Sequence, residues 1–404
     1  MQDKKKEMKE RIQKKIEYME ELDDEGIQAV IDEILLEYAR DIYLTMEEKQ
    51  SFARECFNEI RRLDVLQELI EDDTITEIMI NGYRDIFIES KGNIKKWEKH
   101  FLSKEKLEDV VQQMVSKANR MVNESNPIVD SRLEDGSRIH VVLSPVALDG
   151  PVVTIRKFPL ESITMEQLIL WEAMTEEAAE FLRKLVVSRY NIFVSGGTGS
   201  GKTTLLNVLS NYIPQEERVI TIEDSAELQI RKVPNLVRLE TRESILEEGC
   251  KITMTDLIKA SLRMRPDRII VGEVRDGAAV VNMLQAMNTG AAAMSTGHAN
   301  SSKDMLNRLE ALALVGMNMP LLSVRKQIAS AIDIIVHLGR LRDKSRRVLE
   351  IVEVLEGEDM EILTNPLYCF KEEGKDSSRV KGRLVAQKNS LKNTEKLEKA
   401  GIMQ

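Results

Sequence analysis

Between residues 27 and 42 the apolar side chains Ile27, Val30, Ile31, Ile34, Leu35, Tyr38 and Ile42 recur at helical spacing, which predicts a helix with one apolar stripe and an acidic opposite face. Thr45, followed three residues later by Glu48, is a capping box that predicts a second helix through MEEKQSFARECFNEIRRL. Residues 1–62 are therefore expected to form an N-terminal helical segment that packs on its neighbours, since an acidic polar face disfavours a membrane surface. From residue 63 the period shortens. TEIMI, YRDIFIES and IKKWE are β-rich runs split by Asn81-Gly82 and Gly92-Asn93, the signature of a meander. KEKLEDVVQQMVSKANRMV returns to helical spacing, and SRIHVVLSPVAL and GPVVTIRKF add strands, so residues 63–158 read as a smaller α+β domain.

A linker over 159–164 then enters a helix over 165–188. NIFVSGG, RVITIED, NLVRLET, DRIIVGE and AAAMST alternate with helical stretches, which predicts an α/β domain over 165–356 with a central, mostly parallel sheet closed by the hairpin DIIVHLG and RVLEIVEVLE. Residues 357–404 form a C-terminal extension whose part beyond Glu372, polar and without period, is expected to be mobile.

Composition narrows the function. No window approaches the roughly 18 apolar residues of a membrane span, and the charged N-terminus has no apolar run behind it, so no export is expected. Cys56, Cys250 and Cys369 are too few and scattered for a disulfide framework or a CxxC metal site, which suits a reducing cytosol. A net charge of −10 from 58 basic and 68 acidic residues argues against a surface built for nucleic acid, and 4% aromatics leave no stacking platform for single strands.

The chemistry is local. Gly196, Gly197, Thr198, Gly199, Ser200, Gly201, Lys202 and Thr203 spell GGTGSGKT, which satisfies G-x-x-x-x-G-K-[ST] between the apolar strand NIFVS and a helix that opens with Thr204. Such a loop turns backbone N–H groups toward phosphate oxygens, Lys202 can reach the β- and γ-phosphates, and the Thr203 hydroxyl can hold Mg2+. The chain has no NKxD element for guanine and no LSGGQ-like signature, so ATP is the expected nucleotide. Hydrolysis also needs a carboxylate to hold a water. Two strands end acidic: RVITIED with Glu223 and Asp224, and DRIIVGE with Glu273. Either Glu223 or Glu273 can polarise the water while the other serves Mg2+ through water.

DSRLEDGSRIHVV, TIRKF, SGGTGSGKTTLLN, TIEDSAEL, VRLETR, DLIKASLRMRPDRIIVGEVRD and STGHANSSKDMLNRLE together resemble the CpaF family, motor ATPases of tight-adherence (Flp-type) pili within the type II/type IV secretion ATPases. The resemblance runs from about Leu66 to Glu356. It implies a RecA-like C-terminal domain and a smaller N-terminal domain in a homo-hexamer, with ATP between the two domains. GGTGSGKT matches the Walker A loop, TIED the acidic box with Glu223, and RIIVGE an atypical Walker B in which Gly272 stands at the usual aspartate position and Glu273 supplies the carboxylate. STGHAN makes His298 the histidine near the γ-phosphate. Arg138 and Arg156 are candidates for arginines that approach nucleotide when the ring closes, and Arg238 and Arg242 for phosphate or subunit contact.

One departure stands out. Relatives commonly carry a further histidine after the TG of TGAAA, and Ala291 is nearest that position here. Its loss alters coupling if that histidine meets phosphate, and is harmless if it only packs. The resemblance implies a cytoplasmic enzyme peripheral to the membrane, acting on an integral membrane platform protein, with DNA binding not expected. Two alternatives stay open: a conjugation-type secretion ATPase, and an ATP-binding scaffold with little turnover.

Overall fold

A computed structural model describes residues 2–17, 19, 22–38, 45–90, 92–118, 120–157, 163–242, 251–316, 319–358, 361–374 and 380–402, with residues 2–6 as backbone only. The expected helical position of Ile42, the last residue of the expected α+β domain, 158, and most of the expected linker, 159–162, lie outside the described residues. The chain divides into two units, Met1–Leu160 and Glu161–Gln404.

In the first unit, helices α1 (Gln2–Glu17), α2 (Asp24–Tyr38) and α3 (Met46–Arg61) close on their own core of Met8, Ile12, Ile31, Ile34, Phe52 and Cys56. The Thr45–Glu48 capping box starts α3, so helix propensity and cap act together there. After the short α4 (Leu66–Glu71) come β1 (Ile75–Asn81), β2 (Asp85–Ser90), β3 (Asn93–Lys96), α5 (Lys104–Lys117), β4 (Ile128–Arg132), β5 (Arg138–Val142) and β6 (Val152–Arg156). The strands form an antiparallel sheet in the order β3-β2-β1-β6-β5-β4. Strict alternation sends Ile78, Ile80, Ile139, Val141, Val153 and Ile155 into a core shared with Leu107, Val111 and Met114 of α5.

The second unit begins with α6 (Met165–Leu170) and α7 (Glu176–Val187), followed by β7 (Ile192–Gly196), α8 (Lys202–Ser210), β8 (Val219–Glu223), β9 (Leu236–Glu240), α9 (Met254–Ser261), β10 (Arg268–Val271), α10 (Gly277–Asn288), β11 (Ala292–Gly297), α11 (Ser302–Gly316), α12 (Leu321–Ala331), β12 (Ile334–Arg340), β13 (Arg346–Glu356), β14 (Ile362–Glu372), β15 (Gly382–Ala386) and α13 (Glu395–Lys399). One sheet runs β15-β14-β13-β12-β7-β11-β10-β8-β9. From β12 to β9 every neighbour is parallel, and from β12 to β15 every neighbour is antiparallel. The parallel strands at the centre are buried at every position, as a sheet covered on both faces requires. One face packs on α7 and α8, the other on α9, α10, α11 and α12. This is a RecA-like α/β fold. Among the described residues no helix is long and apolar enough to cross a membrane.

The extension differs from its expectation. Two further strands, β14 and β15, continue the sheet, and Leu384, Leu391 and Leu397 are buried in the core under α7 and α8. Residues 375–379 and 403–404 of the expected tail lie outside the described residues. The anchor is a carboxylate. Glu353 on β13 is 1% exposed and accepts from the backbone N–H of Lys392 at 2.9 Å, that of Asn393 at 2.7 Å and the amide of Asn365 at 2.9 Å. Tyr190 donates its hydroxyl to the Asn393 carbonyl. Backbone pairing and a single buried acid have no hydrophobic period, so the segment reads as polar although it is held. Glu353→Ala strands these donors, and a loss of about 3 kcal/mol is expected in chemical denaturation of the full chain. An unchanged midpoint would show that the extension is held by its leucines alone.

Candidate nucleotide-binding site

The loop between β7 and α8 is built by glycine. Gly199 (φ +68°) and Gly201 (φ +96°) occupy left-handed backbone, and a Cβ on Gly196 would lie 2.5 Å from the Leu338 carbonyl oxygen and from Ser200 Oγ. Gly201 is the N-cap of α8 and offers no side-chain cap, so the first N–H groups of the helix are free for an anion. Gly197, Thr198 and Gly199 are exposed at the mouth, whereas Ser200 and Lys202 are buried. The Ser200 hydroxyl donates to the Gly197 carbonyl at 2.8 Å and braces the turn from within. Thr203 and Thr204 follow on the first turn of the helix, half-buried.

Beside the loop stands a chain of polar contacts. Lys202 Nζ donates to the Gly197 carbonyl at 3.0 Å and to His298 Nδ1 at 3.2 Å. His298 Nε2 lies 3.1 Å from Glu273 Oε1, and Arg275 donates to Glu273 Oε2 at 2.8 Å while reaching Asp224 at 3.8 Å. With a lysine donating to Nδ1, a neutral ring carries its proton on Nε2, the nitrogen beside Glu273. Burial lowers the pKa of His298; Glu273 opposes this, and the cations Lys202, Arg275 and Arg308 reinforce it. Burial likewise lowers that of Lys202 against the pull of Glu273. The imidazole is thus held neutral between a cation and an anion.

Glu223 is placed differently. It ends β8, is 2% exposed, and its Oε1 accepts from the backbone N–H groups of Glu227 at 2.7 Å and Leu228 at 2.9 Å. Its Oε2 has no partner among the described residues. Burial raises its pKa from 4.5 to about 7, against the two backbone N–H bonds and the charge of Arg238. Gly272 makes room for it, since a Cβ there would come 3.1 Å from Glu223 Cγ. That contact gives a steric reason for glycine where an aspartate is usual.

The remaining candidates divide. Arg238 on β9 bonds the Leu228 carbonyl at 3.4 Å and so belongs beside Glu223, whereas Arg242 is an exposed side chain whose backbone bridges to Ile252. Arg138 and Arg156 lie in the first unit, directly opposite each other on β5 and β6, with Arg132 opposite Arg138 on β4. Like charges in register disfavour a sheet, and here Asp130, 3.5 Å from Arg138, offsets part of that charge. Ala291 is buried just before β11 starts, while His298 follows its other end, seven residues or about 23 Å along the strand. Its position faces apolar core, which favours packing over phosphate contact for that departure. Sequence reasoning missed Arg275 and also Arg346, whose Nε donates to the Gly199 carbonyl at 2.9 Å. Arg275 was within sight in GEVRD, two residues after Glu273; Arg346 gave no local signal, being 147 residues from its partner.

The residues present fit a nucleoside triphosphate and a divalent cation: a glycine loop whose tight turn leaves no room for a Cβ at Gly196, a buried lysine behind it, and a buried carboxylate oxygen on Glu223 that has no partner among the described residues. The fold and loop define a phosphate-loop protein of the RecA-like class. The chain belongs to the family described as "Type II/IV secretion system protein", whose profile matches residues 59–398. It is 32% identical over 307 residues to a putative conjugal transfer protein of Mycobacterium tuberculosis, covering 74% of this chain and 86% of that one. It is 35% identical over 295 residues to the conjugal transfer protein TrbB of Rhizobium radiobacter, covering 72% and 87%. The crystal structure of the pilus retraction motor PilT with bound ADP shares the fold, with a TM-score of 0.54, 19% identity, and coverage of 84% of this chain and 87% of that one.

The raised Glu223 pKa has a sign. A carboxyl group whose pKa rises on folding contributes stability that is full below about pH 4.5 and is lost as pH rises through about 7. In nucleotide-free, EDTA-treated protein, Glu223→Gln is expected to match the wild type near pH 4.5 and to exceed it above pH 7 by up to about 3 kcal/mol. Parallel stability–pH curves for the two proteins would refute the assignment.

Proposed function

We propose that the chain is an ATP-hydrolysing motor of the CpaF type, working as a homo-hexamer on an integral membrane platform protein at the cytoplasmic face of a pilus or secretion machine. The reading is carried by the line of polar contacts Lys202–His298–Glu273 beside the phosphate loop, with Glu223 buried one strand further along. Bound Mg2+–ATP would supply the scissile phosphoanhydride and a cation to offset its charge. Backbone N–H groups from Gly199 to Thr204 would bind the phosphates, Lys202 would neutralise the β and γ oxygens, and the Thr203 hydroxyl would help hold the metal.

Glu223 takes the proton of the attacking water. Its pKa of about 7 suits a base working near neutrality, and Oε2 is the oxygen left to accept. Glu273, fixed by His298 and Arg275, serves the metal through water. His298 reads the γ-phosphate: when Lys202 turns to the phosphates, Nδ1 loses its donor, and the imidazole is free to answer the change. Arg138 and Arg156 complete the charge on the γ-phosphate as the ring closes, so ATP and ADP select different domain arrangements.

Steady-state turnover and nucleotide titration test these roles. Lys202→Ala is expected to lose ATP binding. Glu223→Gln and Glu273→Gln are expected to keep bound ATP at saturating Mg2+ with turnover down at least about 100-fold, and only Glu273→Gln raises the Mg2+ needed for half-maximal binding. His298→Ala keeps binding and loses turnover. Equal weakening of ATP affinity by Lys202→Ala and Glu273→Gln would sink the assignment. A second reading, a motor for conjugation, draws on the conjugal transfer relatives. Turnover stimulated by DNA would favour it, and turnover indifferent to DNA favours the pilus reading.

A further inference from the structure

A second histidine, this one buried, lies beside the phosphate loop, on the side away from the carboxylates. His337, 5% exposed, sits in β12. The parallel register sets it beside Ser195 of β7, and sets Ser195 beside Gly297 of β11. Gly297, Ser195 and His337 therefore form one row across three strands, one residue before the phosphate loop begins and one residue before His298. Ser195 is fully buried, and its Oγ is 2.8 Å from His337 Nδ1. The ring also faces the backbone carbonyl of Asn300, two residues past His298. The row stays clear because position 297 is glycine: a Cβ there would lie 2.9 Å from Phe193 and 2.8 Å from Met305.

The charged groups facing this imidazole are Glu350, opposite it on β13, and Asp304 on α11. Burial outweighs both and keeps the ring neutral. A neutral ring has one donor and one acceptor: Nδ1 is engaged by the Ser195 hydroxyl, and the backbone of Asn300 is the ring's other polar neighbour. A leucine would fill the same space without fastening anything.

We propose that His337 is a positioning residue that ties the loop carrying His298 to the strand carrying the phosphate loop, so that His298 and Lys202 keep their mutual geometry. The inference rests on the nucleotide-site reading of that loop. It makes the β12 strand, which bears no phosphate-binding group of its own, part of the sensing device.

The test uses the full chain with His337→Leu, which keeps volume and deletes the ring's polar contacts, and His337→Gln, which keeps a donor and an acceptor. The first readout needs no turnover. The chain has four histidines, so imidazole nitrogen correlations in histidine-labelled, nucleotide-free protein resolve His298, assigned by its loss in His298→Ala. His337→Leu is expected to move the His298 signals, and His337→Gln to leave them near wild type. The second readout is a split: affinity for a fluorescent ATP analogue and KM within about threefold of wild type in both variants, with kcat down about tenfold in His337→Leu and largely restored in His337→Gln. If His337→Leu does not fold, Ser195→Ala removes the donor from the other side and is expected to move the same His298 signals. Unmoved His298 signals in the folded variants, a His337→Gln as impaired as His337→Leu, or a loss confined to affinity would each overturn the proposal. A wild type without ATP turnover would overturn the motor reading, while the His298 signals would still decide this one.

Discussion

Parallel pairing sends the carboxyl ends of β12, β7, β11, β10, β8 and β9 to one edge of the sheet, and the chemistry of this protein depends on that constraint. The phosphate loop leaves β7, His298 leaves β11, Glu273 leaves β10, and Glu223 ends β8. Strand order therefore becomes charge order: a cationic cradle, an imidazole, then two acids. Neighbouring strands are about 4.8 Å apart, so β7 and β8 are separated by three spacings, about 14 Å. That gap is bridged by side chains in sequence: Lys202 reaches His298, His298 reaches Glu273, and Arg275 joins Glu273 to Asp224 just past β8.

The two glutamates show how one residue type acquires opposite properties from its surroundings. Glu223 is buried with backbone N–H partners, and desolvation prevails over them and over the charge of Arg238. Glu273, one strand nearer the loop, has an arginine on one oxygen and an imidazole on the other. Gly272 belongs to this arrangement although it has no side chain, because the space it leaves is filled by Glu223.

Much of this was legible in the chain because it is local. A strand, a glycine-rich turn and a helix within about twenty residues announce the phosphate loop, and strand-end acids are visible once the strands are. Alternation in RIHVV and VVTIR put Arg138 and Arg156 on the solvent side of their strands, and the sheet pairs them. What could not be read was pairing across sequence. Arg346 meets Gly199, and His337 meets Ser195, only after β12 has been laid against β7. The Ala291 departure was visible, but which end of β11 it occupied depended on where the strand begins. The extension was misjudged because its hold rests on backbone pairing and on Glu353, neither of which produces a hydrophobic pattern.

The way the extension is fastened also orders events in time. Leu384, Leu391 and Leu397 fill the same core as Tyr190, Ile192 and Leu205, and the hydroxyl of Tyr190 is met by a carbonyl 203 residues later. During synthesis, the strand that carries the phosphate loop therefore waits for almost the whole remainder of the chain before its inner face is covered. Contacts so distant in sequence slow folding and leave apolar strands exposed meanwhile. A nascent chain halted before residue 384 would carry the complete phosphate-loop sequence on an unfinished core.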